Sequence, residues 1–532
     1  MDKQRRVAQA CDACKLRKVR CNGEEPCQQC NHLDLKCMYT SRNRSRAKRT
    51  MERGSVISKY KRHTQRPRVS TSPHPIAPAP PPTSMPSQLE PRSPIFDTNF
   101  FIELIPDYLS CVYPVNPVIT EAEVRDSIFR MNAEREHAAF AHAYAAVTIN
   151  LTRSDPIQQM PDISSQISEL LSKAIDIQGP VTLDDHPTIR KIMSSTFLEI
   201  CFMALRKYDL AFYYLREAIT MIHMMRIENP EAMQNLDSSE RARRQRLYWE
   251  AFVHERFLAI ADFRPCVLSP LWEMPEFDPS LPYGIHEGFY QIIKLFRLMD
   301  DDFLRRWLGD RSLVDVPWVE EKHKQLDDDL KEWEVEVGML NDMQQADLII
   351  TRQWMRTVIW QMAMSNCLLS STAAKDCMTF QLPLRLSTQL RHFIIKISPK
   401  AIGIHGSGIL EKLFEITDTI ADVVIHVPAA TFEETSERVD DFLFLCRFLF
   451  AFPRIEALQK QILQKKLDSM RSHFPLHMRD VGPTIASPTP SLYSDTDPSS
   501  GFVGSDLIQQ DSPRSTPLAH HSPHSPVTGS LI

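Results

Sequence analysis

Six cysteines near the N-terminus, Cys11, Cys14, Cys21, Cys27, Cys30 and Cys37, follow the pattern C-x2-C-x6-C-x5-C-x2-C-x6-C. Thiols at that density are disulfides, redox centres or metal ligands, and the surrounding residues separate the three. Residues 1–20 are polar and basic without a signal-peptide core, so an oxidising compartment and a disulfide framework are not expected. No βαβ pattern surrounds either C-x2-C pair, which argues against a redox pair. Zinc fits: two separate tetrahedral sites need eight thiolates and the segment supplies six, so two cysteines must bridge. Each half repeats a C-x2-C pair followed seven residues later by a single cysteine, offering three ligands and lending one. Cys11 and Cys27 are the natural bridges. One ion would take Cys11, Cys14, Cys21 and Cys27, the other Cys27, Cys30, Cys37 and Cys11, each C-x2-C opening a short helix. So small a segment has almost no hydrophobic core, and metal binding must supply its folding free energy, roughly 10 to 16 kcal/mol for structural zinc.

Charge points to the partner. Residues 1–70 carry 19 Lys and Arg against 6 Asp and Glu, a formal +13, while the remaining 43 against 61 leave −18. Two zinc ions with six thiolates contribute −2, so the metal-bound segment stays near +11, an electrostatic footprint for nucleic acid. The basic run at 42–49, with Arg42, Arg44, Arg46, Lys48 and Arg49, is a nuclear localisation candidate.

The six cysteines and the basic residues between them closely resemble the fungal zinc binuclear cluster family, the Zn2Cys6 transcription factors. The resemblance implies that the run after the second cysteine, Lys15 to Arg20, forms a helix whose end enters the DNA major groove and contacts a CGG triplet. Lys18, with Arg17 beside it, matches the base-contacting position, where guanine O6 and N7 are the acceptors. Lys15 and Arg20 would hold phosphates, fixing register. Pro26, directly before Cys27, stands where the family commonly has a proline and would set the turn between the halves. The implied function is sequence-specific DNA binding at RNA polymerase II promoters in the nucleus, with co-regulators as further partners, as an activator of a metabolic gene set. Two other readings remain: an RNA- or metal-binding module, and a ligand-sensing helical domain tethered to nucleic acid and acting as a repressor or cofactor.

The positioning elements fall into five expected segments: a basic arm at 1–10, the cluster at 11–40, a basic then proline-rich linker at 41–94, an all-helical domain at 95–475, and a disordered Ser/Pro-rich tail at 476–532. No heptad pattern persists after the cluster, so a homodimer would have to form through the helical domain. The tail holds six Ser-Pro or Thr-Pro pairs, candidate phosphorylation sites, and an acidic-apolar stretch at 502–511.

Within the helical domain, Ala211, Leu215, Ala218, Ile222 and Met225 predict one helix face. A second helix starts at an Asp237 cap, with Glu240 three residues on, carries a stripe of Leu247, Ala251, His254, Leu258 and Ala261, and ends near Pro265. A buried helix is expected over 358–374, too polar to span a bilayer. Cys111, Cys201, Cys266, Cys367, Cys377 and Cys446 lack metal spacing and are expected as buried free thiols. Met221 to Met225 is expected as core, and the acidic run at 327–336 as a solvated helix face. No P-loop, G-x-G-x-x-G, G-x-S-x-G or H-E-x-x-H occurs there, so no enzyme is expected. The domain resembles the fungal regulatory region that accompanies the cluster. Tyr113-Pro114-Val115-Asn116-Pro117 and Arg243 to Trp249, with Glu255-Arg256 and Arg264-Pro265, carry that resemblance; Glu255 replaces a usual Asp and Phe263 a frequent Gly.

Overall fold

A computed structural model describes residues 10–17, 21–24, 26–32, 37–39, 96–152, 163–182, 185–327 and 337–478. The chain divides into two compact units, Met1–Arg92 and Ser93–Ile532. In the first unit the described helices are α1 (Asp12–Arg17) and α2 (Gln28–His32), each opened by a C-x2-C pair as expected. In the second, the described residues form helices and turns with no strand among them. The predicted linker and tail lie outside the described residues, apart from Leu476 to Met478 at the tail's start.

Local chemistry sets the helix starts: Asp97 caps α3 (Thr98–Glu103), accepting from the Phe100 amide at 2.9 Å. Thr120 and Glu123 cap α4 (Glu121–Arg130) reciprocally: the Glu123 amide donates to Thr120 Oγ1 at 3.4 Å, and the Thr120 amide to Glu123 Oε2 at 2.9 Å. Helix α5 (Arg135–Thr152) is buried from His137 through Leu151, so it is an interior helix; its alanines let α6 (Ile163–Gln178) and α7 (Ile189–Ala204) pack closely on either side. The face predicted at 211–225 forms α8 (Tyr208–Met224), with Ala211, Leu215, Ala218 and Ile222 buried. The methionines there correct the expectation: Met221 and Met225 are half-buried at the rim and Met224 is exposed.

The Asp237 cap opens α9 (Ser238–Ala261), accepting from the Glu240 amide at 2.9 Å. This helix is not one-sided. Leu247, Ala251 and Leu258 are buried, His254 and Ala261 are half-buried, and Arg246, Glu250, Glu255 and Arg256 are buried as well. Most of these charges have partners. Arg246 pairs with buried Asp278 at 3.1 Å and donates to the Pro117 carbonyl at 2.8 Å, while Arg243 donates to the Val118 carbonyl at 2.9 Å. The two segments that carry the regulatory-region resemblance are thus bonded to each other. Glu255 accepts from the Val267 and Leu268 amides at 2.8 and 2.9 Å and from Arg216 at 2.8 Å, fixing the chain past Pro265.

Phe263 sits at φ +53, the left-handed region that favours glycine, which accounts physically for the expectation of Gly there. Its ring compensates by stacking on Trp307, centroids 5.5 Å apart and 4° from parallel, with Arg311 over both rings.

The second half of the unit comprises α10 (Tyr283–Arg297), α11 (Val316–Asp327), α12 (Asp342–Ser365), α13 (Leu382–Ile394), α14 (Gly406–His426), α15 (Phe432–Ala451) and α16 (Ala457–His473). Helix α14 packs against α12, α13, α15 and α16, and also meets α7, so both halves share one core. The helix predicted over 358–374 instead starts at Asp342 and stops at Ser365. Cys367 takes φ +56; its amide donates to the Met364 carbonyl and that of Leu368 to the Ala363 carbonyl, the paired bonds of a Schellman stop. That stop also leaves Cys367 exposed; Cys111, Cys201 and Cys446 are buried as expected, and Cys266 and Cys377 are intermediate. Of the acidic run, Asp327 pairs with Arg352 and Arg356 and residues 328–336 lie outside the described residues.

Two outcomes are expected. Glu255→Ala strands two amides and leaves Arg216 and Arg256 without their carboxylate, a loss of about 3 to 5 kcal/mol that a lower unfolding midpoint would report. Burial pushes the Glu250 carboxyl from 4.5 up to about 8, nearby Glu199 adding to the rise and His254 opposing it. The folded state then holds a proton that the unfolded chain releases, so stability is full below the ordinary carboxylate value and is lost as pH rises toward the folded one. Glu250→Gln removes that loss: its midpoint should gain on the wild type between about pH 5 and about pH 8.

Candidate metal centre

The sulfurs of Cys11, Cys14, Cys27 and Cys30 are buried and lie within 4.8 Å of one another. Cys11 Sγ is 3.7 Å from Cys27 Sγ and 3.5 Å from Cys30 Sγ, and Cys14 Sγ is 3.6 Å from Cys27 Sγ. A disulfide needs about 2.05 Å. Two sulfurs at about 2.3 Å from one zinc stand about 3.8 Å apart along a tetrahedral edge, so each of these three pairs is spaced to share an ion. Cys11 and Cys27 each take part in two of the three close approaches, and their own separation is one of them.

Both C-x2-C pairs repeat one local device. The Cys14 amide donates to Cys11 Sγ at 3.5 Å and the Cys30 amide to Cys27 Sγ at 3.4 Å, so the first turn of each helix aims a donor at its leading sulfur. Cys37 is joined to the group through the Cys27 amide, which donates to its sulfur at 3.3 Å. Cys21 lies 3.6 Å from the Tyr39 hydroxyl, which donates to the Glu24 carbonyl at 3.0 Å. Cys21 and Cys37 are half-buried, outside the close quartet.

Electrostatics divide the thiols. Burial opposes ionisation of Cys27, yet the Cys30 amide and the thiols of Cys30, Cys14 and Cys11 donate to it and bring it down to about 6. Burial pushes Cys11 up to about 11, and burial together with the neighbouring thiols pushes Cys14 and Cys30 up as well. Crowded thiols resist shedding their protons together unless a cation neutralises them, which is the role a bound zinc pair supplies.

Three contacts that the spacing did not reveal close the unit. The Asp12 amide donates to the Met38 carbonyl at 2.8 Å, the Gln28 amide to Asn22 Oδ1 at 3.1 Å, and Tyr39 reaches Glu24 as above. Nothing in residue type marked Asn22 or Tyr39. Among the expected DNA-facing residues, Lys15 is exposed on α1 and Arg17 ends that helix. Lys18 and Arg20 lie outside the described residues, as do Arg42, Arg44, Arg46, Lys48 and Arg49.

Residues 9–46 match the fungal Zn(2)-Cys(6) binuclear cluster domain. That segment is therefore a fungal-type zinc binuclear cluster domain, a class of domain that holds two zinc ions. Along most of its length the chain is similar to "Probable sucrose utilization protein SUC1" of Candida albicans, 24% identical over 446 residues, covering 81% of this chain and 82% of that one. It is similar likewise to "Maltose fermentation regulatory protein MAL13" of Saccharomyces cerevisiae, 22% identical over 434 residues, 80% of this chain and 85% of that one. A shorter likeness, 54% over 37 residues, joins it to "Fumonisin cluster-specific transcription factor FUM21" of Gibberella moniliformis, covering 7% of this chain and 6% of that one. The second of these is named a regulatory protein and the third a transcription factor, and among the described residues no helix is long and apolar enough to cross a membrane.

Stripping zinc from the full-length protein with a strong chelator is expected to abolish binding to duplex DNA while leaving the unfolding midpoint of the helical unit unchanged. Acidification should release zinc in step with protonation of the thiolates. Atomic absorption and calorimetry check both.

Proposed function

We propose that this chain is a nuclear, sequence-specific regulator of RNA polymerase II promoters that reads CGG-like triplets and activates genes for sugar utilisation. The observation that carries the reading is the sulfur quartet with Cys11 and Cys27 at its shared edge, within the matched cluster domain. In this reading all six cysteines are ligands and Cys11 and Cys27 bridge the two ions. Bound by these cysteines, zinc would tie the two short helices to each other. The chain's own residues do the recognition: Lys18, with Arg17, donates to guanine O6 and N7, and Lys15 and Arg20 hold phosphates. The run with Arg42, Arg44, Arg46, Lys48 and Arg49 directs nuclear import. Residues 95–475 are the regulatory domain, 41–94 a linker and 476–532 a tail that meets co-regulators. The sugar assignment follows the names of the full-length relatives. Whether two copies pair is open to the same experiment.

Site selection from random duplex DNA, with the full-length protein and residues 1–70 in parallel at fixed salt, tests it. CGG enrichment is expected, and paired triplets with the full-length protein alone would place dimerisation in the helical domain. No enrichment overturns the reading. Cys27→Ser should lose both zinc ions by native mass spectrometry, and a retained pair would refute the bridge. Lys18→Ala should keep zinc and lose about 1 to 3 kcal/mol of discrimination at one triplet position. Equal weakening on all sequences would make Lys18 a phosphate contact.

A further inference from the structure

Buried charges surround a cavity of about 160 Å³ inside the helical unit. Glu199 on α7, Glu250 and His254 on α9, Asp347 on α12 and Lys412 on α14 all line it. Two pairs account for four of these. His254 Nδ1 lies 2.7 Å from Glu199 Oε2, and Lys412 Nζ lies 3.2 Å from Asp347 Oδ1 while donating to Thr351 Oγ1 at 2.6 Å. Glu250 has no such answer. It is 2% exposed, and neither carboxyl oxygen has a hydrogen-bond partner among the described residues. A polar group buried this way costs free energy unless something that enters the cavity bonds it. The rest of the wall sets Asn116, Asn150, His405 and Ser407 among apolar side chains that include the Phe289 and Phe296 rings on α10.

We propose that this cavity binds a small uncharged ring bearing several hydroxyl groups, with Glu250 as its principal hydrogen-bonding anchor. Three observations set that chemistry. The lining mixes donors and acceptors, and a hydroxyl both donates and accepts whereas an ammonium only donates. Lys412 and Asp347 cancel, burial opposes the charge on His254 but the adjacent Glu199 carboxylate outweighs it and favours the imidazolium, and burial pushes Glu250 up to about 8, so little net charge faces the cavity. Its volume compares with the roughly 150 Å³ known to admit a benzene ring, which sets the scale at one six-membered ring. The aromatic faces would cover the C–H side of such a ring. This inference concerns the helical unit and does not depend on which DNA the cluster reads.

The test uses the zinc-loaded full-length protein, titrated calorimetrically and followed by saturation-transfer NMR, with D-glucose and myo-inositol as ring probes and putrescine as an amine. Saturable binding of a ring probe is expected. Glu250→Leu should weaken it at least tenfold without lowering the unfolding midpoint, since the substitution removes an unanswered buried carboxyl. Val253→Phe, which fills the cavity from a neighbouring lining position and leaves Glu250 in place, should weaken binding to the same degree. No saturable binding of either ring overturns the proposal. Binding of putrescine alone overturns the hydroxyl assignment, and ring binding unchanged in both variants overturns the location.

Discussion

Thiolate bonding to zinc is the constraint on which the N-terminal unit depends. Its two described helices have six and five residues, and among its described residues the fully buried core consists of Cys11, Cys14, Cys27 and Cys30 themselves. Among the described residues of the unit there is no hydrocarbon interior to repay the conformational entropy of ordering the chain. The metal must do so, and each C-x2-C turn prepares for it by aiming an amide at its leading sulfur. Helix α1, with Lys15 and Arg17, begins at the same cysteines, so metal retention and the orientation of that helix are coupled physically.

The helical unit obeys a different economy. It has apolar surface in quantity, and its uncommon feature is the number of charges carried into that interior on α9. Most act as clamps: Arg243 and Arg246 hold the chain before α4, and Glu255 and Arg256 hold the chain after Phe263. Removing one partner of such a set is costly because the other stays buried. Glu250 stands apart, because its oxygens face a cavity instead of a donor.

What was legible in the sequence was local. Cysteine spacing implied the sulfur cluster because zinc's coordination number and the reach of a helical turn are short-range facts. The Asp237 cap and the α8 face were legible for the same reason: capping and helical periodicity involve residues three or four apart. Phe263 showed as a departure from a resemblance, and its reason, a backbone at φ +53 stacked on Trp307, lies 44 residues along the chain.

Residue order by itself therefore determined the metal, the class of partner and the helical character of the larger unit. Tertiary structure alone decided which faces have no solvent side. Helix α5 is enclosed all round, α9 buries its charges, and the helix expected to run to Ala374 stops at Ser365 because Cys367 turns left-handed there. It also decided that Glu199, Glu250, His254, Asp347 and Lys412, from four helices spread along more than two hundred residues, meet around one cavity. Periodicity reports what a helix carries; only the packing of other helices against it settles which charges find partners.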